Sequence, residues 1–360
     1  MHLIVDAHED LAWNILALGR DYTRPAAETR LREAGSTILE HYDNTLLGWA
    51  DYQRGCVAVV FGTLFAAPVR RRLGSWDTLL YSDFEQAHRL YRAQLDAYLD
   101  LVDRHPDKFR PIHSATDLDE VLAPWSDATA TPPIGLVTLM EGAEGVRAPA
   151  ELEEWWELGV RLIGPAWTGT RYCGGSGEPG PLTDDGRLLL DEMGEIGFTL
   201  DLSHMDELAA RQALDRYPGA VIASHANAAA IIPDYEGNRQ LSDALIRGLL
   251  ERDGVIGVVP YCKFLDYGWK KGETHNRPTL EKLAAHIDHI CQMAGDAAHV
   301  GLGSDFDGGL GLESAPSGVD TIADFQKLDP ILAARGYTDA DIAAILGGNW
   351  LRLLRETLPS

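Results

Sequence analysis

Eight short apolar runs recur along the chain, separated by amphipathic stretches. They are Leu3–Ala7, Gly55–Phe65, Ile134–Met140, Val160–Ala166, Phe198–Leu202, Ala220–Ser224, Val255–Pro260 and His299–Gly303. Most are continuously apolar rather than alternating, the pattern of parallel strands buried on both faces. Helical patterning covers Asp83–Arg104, Asp117–Leu122, Ala150–Leu158, Thr183–Ile196, Met205–Tyr217, Ser242–Arg252 and Thr279–Ala294. Ser203 or His204, and Thr279 behind Pro278, are the expected helix starts. Strands alternating with helices require a parallel sheet. Eight such units, with no nucleotide-binding fingerprint after the first strand, favour an α/β fold of the closed (β/α)8 TIM type over an open doubly wound sheet.

With 360 residues, this pattern is expected to fill one domain, 1–360. Three stretches exceed simple connections: 11–54, 66–82 and 167–182, the last rich in Gly and Pro (TGTRYCGGSGEPGP). In a barrel, loops after strands build the catalytic face. The formal charge of −24, with no basic run, argues against nucleic acid and against an anionic membrane surface as partners. Cys56, Cys173, Cys262 and Cys291 are scattered without a CxxC pair, so neither a zinc knuckle nor a disulfide framework is expected. The opening MHLIVDAHED lacks a secretory pattern and no run approaches a membrane span, so the expected location is the cytoplasm.

The polar residues at the ends of the apolar runs carry the functional signal. His8 and Asp10 follow the first run, two apart, and so face the same way on an extended segment. Glu141 follows the third, His204 the fifth, His225 the sixth and Asp305 the eighth. All lie at C-terminal strand ends, where barrel enzymes keep their active sites. Taken singly, each has an ordinary explanation: an HxD pair by chance, a hydrogen-bonded core histidine, an acid capping the next helix. Together, the six suit divalent ions of zinc character. Glu141 is the carboxylate that could bridge two ions, and Asp305 the one that could relay a proton. The remaining nine histidines read as surface or structural.

HxD on the first strand, LMEGAEGV, DLSH, ASHAN, NRQLSD, GLGSDFDG and ILGGNWLR together resemble the membrane dipeptidase (renal dipeptidase) family of zinc peptidases, within the metal-dependent amidohydrolase superfamily. The resemblance runs from residue 6 to residue 352. It implies a metal-dependent hydrolase barrel that cleaves the amide bond of dipeptides with two divalent ions, zinc being the expected metal. It further implies His8 and Asp10 as ligands of one ion, His204 and His225 as ligands of the other, and Glu141 as the bridge. Asp305 matches the acid that contacts the shared water and the substrate amine, and Arg239 the residue that holds the substrate carboxylate. Family members are often homodimers, although no residue pattern here identifies an interface.

Two positions depart from the family: Trp167 and Glu9, the residue inside HxD. Trp167 stands where the family usually carries a histidine that polarises the scissile carbonyl. Trp offers one N–H and cannot act as an imidazole. The metal-ligand set therefore matches while the substrate shell differs. Arg171 or Tyr172 is the expected replacement donor, and Tyr261 a further candidate pocket residue, although an aromatic there equally suits a core. Arg239 read on its own equally suits a surface or helix-capping role. Glu9 should point away from the metals. Three readings follow: a dipeptidase, a hydrolase of another amide or ester with the same metals, and a metal-binding relative without turnover.

Overall fold

The computed structural model describes all residues except 128 and 274. Eight parallel strands form the main sheet: β1 (Ile4–Glu9), β2 (Val57–Phe65), β3 (Ile134–Glu141), β4 (Val160–Gly164), β5 (Thr199–Asp201), β6 (Val221–Ile222), β7 (Ile256–Val258) and β8 (Val300–Leu302). Each falls within one of the apolar runs or overruns it by one or two residues. The order is β6-β5-β4-β3-β2-β1-β8-β7. A parallel bridge between Ala223 and Ile256 joins the two ends. The Gly257 N–H donates to Ala223 O at 2.8 Å across this seam. The result is a (β/α)8 barrel closed by a single bridge at β6–β7. Gly257 and Gly303 make this closure feasible, because a Cβ on either would collide with the backbone oxygen of Ser224.

Helices between the strands form the outer layer. The longest, Phe84–Arg104, starts with the Asp83 carboxylate accepting from the Gln86 N–H. The helix expected from Met205 begins later, at Glu207. Its cap is Asp206 rather than Ser203 or His204, with the carboxylate accepting from the Leu208 N–H. A short strand, Phe109–Pro111, pairs with β3 beside the barrel path. No helix among the described residues is long and apolar enough to cross a membrane.

The barrel interior holds Val5, Ala7, Val59, Phe61, Val137 and Leu139. Trp350, from the C-terminal helix Asn349–Thr357, closes the end opposite the site. Its indole meets Phe61 edge-on at 5.4 Å and its Nε1–H donates to Leu302 O at 3.0 Å. Glu141 continues the inward row of Val137 and Leu139, so it crowns this core.

One irregularity in β1 positions the site. Asp6 pairs with Val60 and Glu9 with Gly62, so β1 carries one extra residue between them. The partners Val60 and Gly62 face the outer layer, where Tyr98 abuts Gly62. Asp6 and Glu9 therefore both face outward, leaving Ala7 and His8 to face inward. An unbroken strand with Val5 and Ala7 inward would have turned His8 out of the barrel. Bulges re-aim side chains in this way.

Candidate metal centre and substrate cavities

Six side chains from five strand ends converge at the C-terminal mouth of the barrel. Glu141 stands between the others. Its Oε1 is 2.9 Å from His204 Nε2 and 3.3 Å from His225 Nε2. Its Oε2 is 3.6 Å from His8 Nε2. His8 Nε2 lies 3.9 Å from Asp10 Oδ2 and 3.8 Å from Asp305 Oδ1. Three overlapping groups that could each hold a metal ion result: His8, Asp10 and Glu141; Glu141, His204 and His225; His8, His225 and Asp305. Within each, the ligand atoms are all within 4.8 Å of one another.

A second layer of polar groups holds these side chains. Thr63, inward on β2, donates its hydroxyl to Asp10. Ser224 donates its hydroxyl to the buried Asp201 carboxylate and lies 2.8 Å from His225 Nδ1. Since that hydroxyl proton is committed to Asp201, the serine oxygen accepts from Nδ1–H, leaving the His225 Nε2 lone pair aimed at the cluster. Ser176, from the Gly-rich loop, sits 3.0 Å from His204 Nδ1 and can fix that ring in the same sense. His204, Asp305 and Asp307 adopt left-handed backbone with φ of 67°, 57° and 62°. Such conformations cost free energy in non-glycine residues and collect at functional sites. Gly308 completes the turn, for a Cβ there would collide with the carboxylates of Asp305 and Asp10.

The electrostatics fit divalent cations. Burial, reinforced by the Arg239 charge, pushes His204 down to about 4. Burial, then His8 and Arg239, holds His225 well below the usual histidine range. Both present neutral imidazoles, the form that binds metal. Burial opposes charge on Glu141, yet the positive charge favoured on His8 outweighs it and holds the carboxyl well below its ordinary range. His8 goes the other way: burial resists its charge, but Glu141, Asp10 and Asp305 push it up to about 9. The carboxylates thus call for positive charge at His8 Nε2, an atom with no hydrogen-bond partner although it is fully buried. Two facing imidazole nitrogens, 3.0 Å apart between His204 and His225, also make a poor arrangement without a cation. Neutral imidazoles with interleaved carboxylates are a donor set for zinc-like ions.

Glu9 faces away from this cluster, as expected. Burial raises its carboxyl well above the ordinary range, and the neighbouring Asp6 raises it further. It accepts from the Tyr52 hydroxyl at 2.5 Å. Asp6 accepts from the Ser304 N–H at 2.6 Å and so ties β1 to the segment after β8.

Two cavities flank the cluster. One, of about 240 Å³, is walled by Trp13, Tyr42, Phe65, Trp76, Leu79 and Trp167, with Asp10, Glu141, His204 and Asp305 at its floor. The other, of about 350 Å³, is lined by Arg239, Tyr261, Phe264, Thr168, Ser176 and Leu310, together with His204 and Asp305. Trp167 and Arg71 border both. Trp167 meets Phe65 edge-on at 5.0 Å and lies 6.3 Å from the His204 ring. Arg239 anchors one nitrogen on His225 O at 2.8 Å, stacks on Phe264 at 5.2 Å, and keeps buried Nε and Nη1 without hydrogen-bond partners. A buried guanidinium edge with spare donors beside a cavity suits a carboxylate.

Arg171 and Tyr172 do not reach either cavity. Tyr172 is buried with its hydroxyl on Val146 O, and Arg171 donates to Val146 O and to the Tyr172 hydroxyl. The cation actually present beside Trp167 is Arg71, from loop 66–82, which donates to Thr168 Oγ1 at 2.9 Å and pairs with Glu178 at 3.1 Å. Sequence reasoning missed Arg71, Trp13, Tyr42, Phe65 and Trp76, because nothing in their spacing distinguishes them from ordinary loop or core residues. Asp307 supports the long 11–54 loop, as its place two residues beyond Asp305 suggests. It accepts from Arg20 at 2.9 Å, Tyr22 at 2.7 Å and Thr45 at 2.6 Å.

Known structures share this fold. The metallopeptidase from Rhodobacter sphaeroides, solved with a phosphinate mimic of the dipeptide L-Ala-D-Ala, superposes with a TM-score of 0.79 at 23% identity, covering 99% of both chains. The structure of dipeptidase AC, an M19 metallopeptidase, superposes at 0.78 with 24% identity, covering 100% of this chain and 99% of the other. At these identities the likeness is one of fold. Among curated sequences, dipeptidase verJ of Clonostachys rogersoniana is 27% identical over 323 residues, 86% of this chain and 76% of that protein. An uncharacterised protein from the pqqA 5' region of Klebsiella pneumoniae is 31% identical over 233 residues, 62% of this chain and 82% of that protein. The membrane dipeptidase profile (peptidase family M19) matches residues 1–358. The chain therefore belongs to the membrane dipeptidase family, and is a hydrolase of the metallodipeptidase class.

Proposed function

We propose that this chain, working as one domain, hydrolyses the amide bond of dipeptides with two divalent ions, zinc by preference. The observation that carries the two-ion reading is the division of Glu141. One of its oxygens addresses His204 and His225, and the other addresses His8 beside Asp10. A carboxylate that serves two ligand groups at once suits a bridge. Two such ions would supply Lewis acidity to the scissile carbonyl and lower the pKa of a water between them.

The chain's own groups do the rest. Arg239 binds the free carboxylate of the substrate through its unpartnered Nε and Nη1. Tyr261 and Phe264 wall that side and exclude water. Asp305 is held well above the usual carboxylate range by burial and by Asp10 and Glu141, against the pull of His8. It can thus take a proton at Oδ1 and hand it to the leaving amine. Ser224 and Ser176 orient the two imidazoles so that neither rotates away from the substrate.

The test is metal analysis together with hydrolysis of L,L and L,D dipeptides. About two ions per chain and chelator-sensitive cleavage are expected. A stoichiometry near one would leave Glu141 with nothing to bridge. A second reading, the same chemistry on a non-peptide amide or ester, draws on Trp167 at the junction of the two cavities. Cleavage of such substrates with dipeptides ignored would favour it. Under either reading, Trp167→His should shift the substrate range, and unchanged kinetics across the panel would refute a role for Trp167 in selection.

A further inference from the structure

We propose that the 240 Å³ cavity is a side-chain pocket selecting dipeptides whose amine-side residue is large and aromatic or apolar. This deepens the dipeptidase reading and rests on it. With the substrate carboxylate on Arg239 and the scissile bond over the cluster, the amine-side residue points into the one described cavity that borders the cluster but not Arg239. Its wall is not a random apolar surface. Trp76 stacks on His41 with ring centroids 4.6 Å apart and planes 12° from parallel. The same indole meets Tyr42 edge-on at 4.9 Å, and Tyr42 meets Trp13 at 5.6 Å. Loops 11–54 and 66–82 are thereby locked together around the cavity by aromatic contacts. Phe65 and Trp167, themselves in edge contact, close the opposite side.

The dimensions suit a ring. An apolar cavity of about 150 Å³ accepts benzene, and this one measures about 240 Å³. Its polar floor belongs to the metal-ligand cluster. Of the charged groups higher on the wall, Arg71 is engaged with Glu178 and Thr168. The Asp77 carboxylate, buried beside Trp76, accepts from the Leu73 N–H at 3.3 Å. A small side chain would leave the aromatic wall facing water, whereas a benzyl or isobutyl group would bury against it.

The experiment compares metal-loaded wild type with Trp76→Ala and Leu79→Arg, both checked by thermal melting. Substrates are Phe-Ala, Leu-Ala, Lys-Ala, Ala-Ala and the reversed Ala-Phe. Binding of reduced-amide analogues of Phe-Ala and Ala-Ala is measured in parallel by calorimetry. Phe-Ala and Leu-Ala should exceed Ala-Ala in kcat/KM by about 10-fold or more, with Ala-Phe showing no such gain. Trp76→Ala should cut the Phe-Ala to Ala-Ala ratio about tenfold in both kinetics and affinity, and Leu79→Arg should do so even if Trp76→Ala fails to fold. Equal rates, a preference for Lys-Ala, or equal losses on both substrates would overturn the pocket while leaving the dipeptidase reading intact. Discrimination between the analogues that depends on Trp76, with no dipeptide cleaved, would uphold the pocket and overturn the dipeptidase reading.

Discussion

The metal-ligand cluster and the aromatic wall share a boundary yet are built in opposite ways. Every candidate ligand sits at or just beyond a strand end, on backbone already fixed by neighbouring strands. Most of the second layer (Thr63, Asp201, Ser224) also comes from strands or the residues directly after them, with Ser176 of the Gly-rich loop as the exception. Apart from Phe65 at the end of β2, the wall comes from loops 11–54, 66–82 and 167–182, and its rings pack on one another beside a buried ionic network. Arg20 pairs with Glu33 through two bonds of 2.9 and 3.0 Å and with Asp307 at 2.9 Å. Asp307 in turn is two residues from Asp305. On the proposed function this is a division of labour: ligand geometry tolerates little displacement and would need the sheet, whereas substrate choice would be set mainly in loops.

The sharpest way to break that division is to damage the cluster alone. Glu141→Gln should abolish turnover and lower bound metal from about two ions per chain, with the cavity walls intact. Metal analysis beside a dipeptide assay checks it, and full metal content would refute the bridging role. Asp305→Asn should spare metal content but lower kcat by about 10²- to 10⁴-fold, measured with saturating substrate. An effect confined to KM would remove Asp305 from proton transfer.

Damage to the loop side should read out first as stability. Arg20→Met leaves Glu33 and Asp307 buried without their cation, at a cost of about 3–5 kcal/mol. Denaturant unfolding of the metal-loaded protein would show this loss, and a change within experimental error would make the network dispensable. The smallest expected effect lies away from both regions. His286 is buried, and that burial, with His289 and Lys282 nearby, lowers it to about 3. Its folded pKa is below the unfolded value, so its contribution is complete above about pH 6.5 and is lost as pH falls toward 3. The loss approaches about 1.4 kcal/mol per pH unit. His286→Gln should flatten the acid limb of stability in chelator-treated protein between pH 6.5 and 4. An unchanged limb would assign acid lability to other groups.

Much of the cluster was legible because strand ends are marked by the switch from apolar runs to single polar residues. His8, Glu141, His225 and Asp305 all stand at such switches, and the structure brings them together. The route by which His8 gets there was not legible. Simple alternation put His8 and Asp10 on one face, but the facing arises from a bulge between Asp6 and Glu9, visible only in the pairing with Val60 and Gly62. The helix after β5 starts later than the sequence pattern suggests for a related reason. Asp206 competes with Ser203 and His204 as a cap, and those two are occupied in turning toward β6 and the cluster. Arg171 and Tyr172 looked like donors from proximity in sequence to Trp167, while the loop folds them back onto Val146.

By itself, the order of amino acids determined the barrel and its chemical face, because periodic burial and strand-end polarity are local patterns repeated eight times. The tertiary structure alone decided which aromatic residues become a wall, which arginine borders both cavities and how the long 11–54 loop leans on Arg20 and Asp307. Those choices depend on contacts between segments tens to hundreds of residues apart, such as Arg20 with Asp307 and Arg71 with Glu178. No local pattern encodes such contacts, since their free energy exists only once the chain has closed the distance.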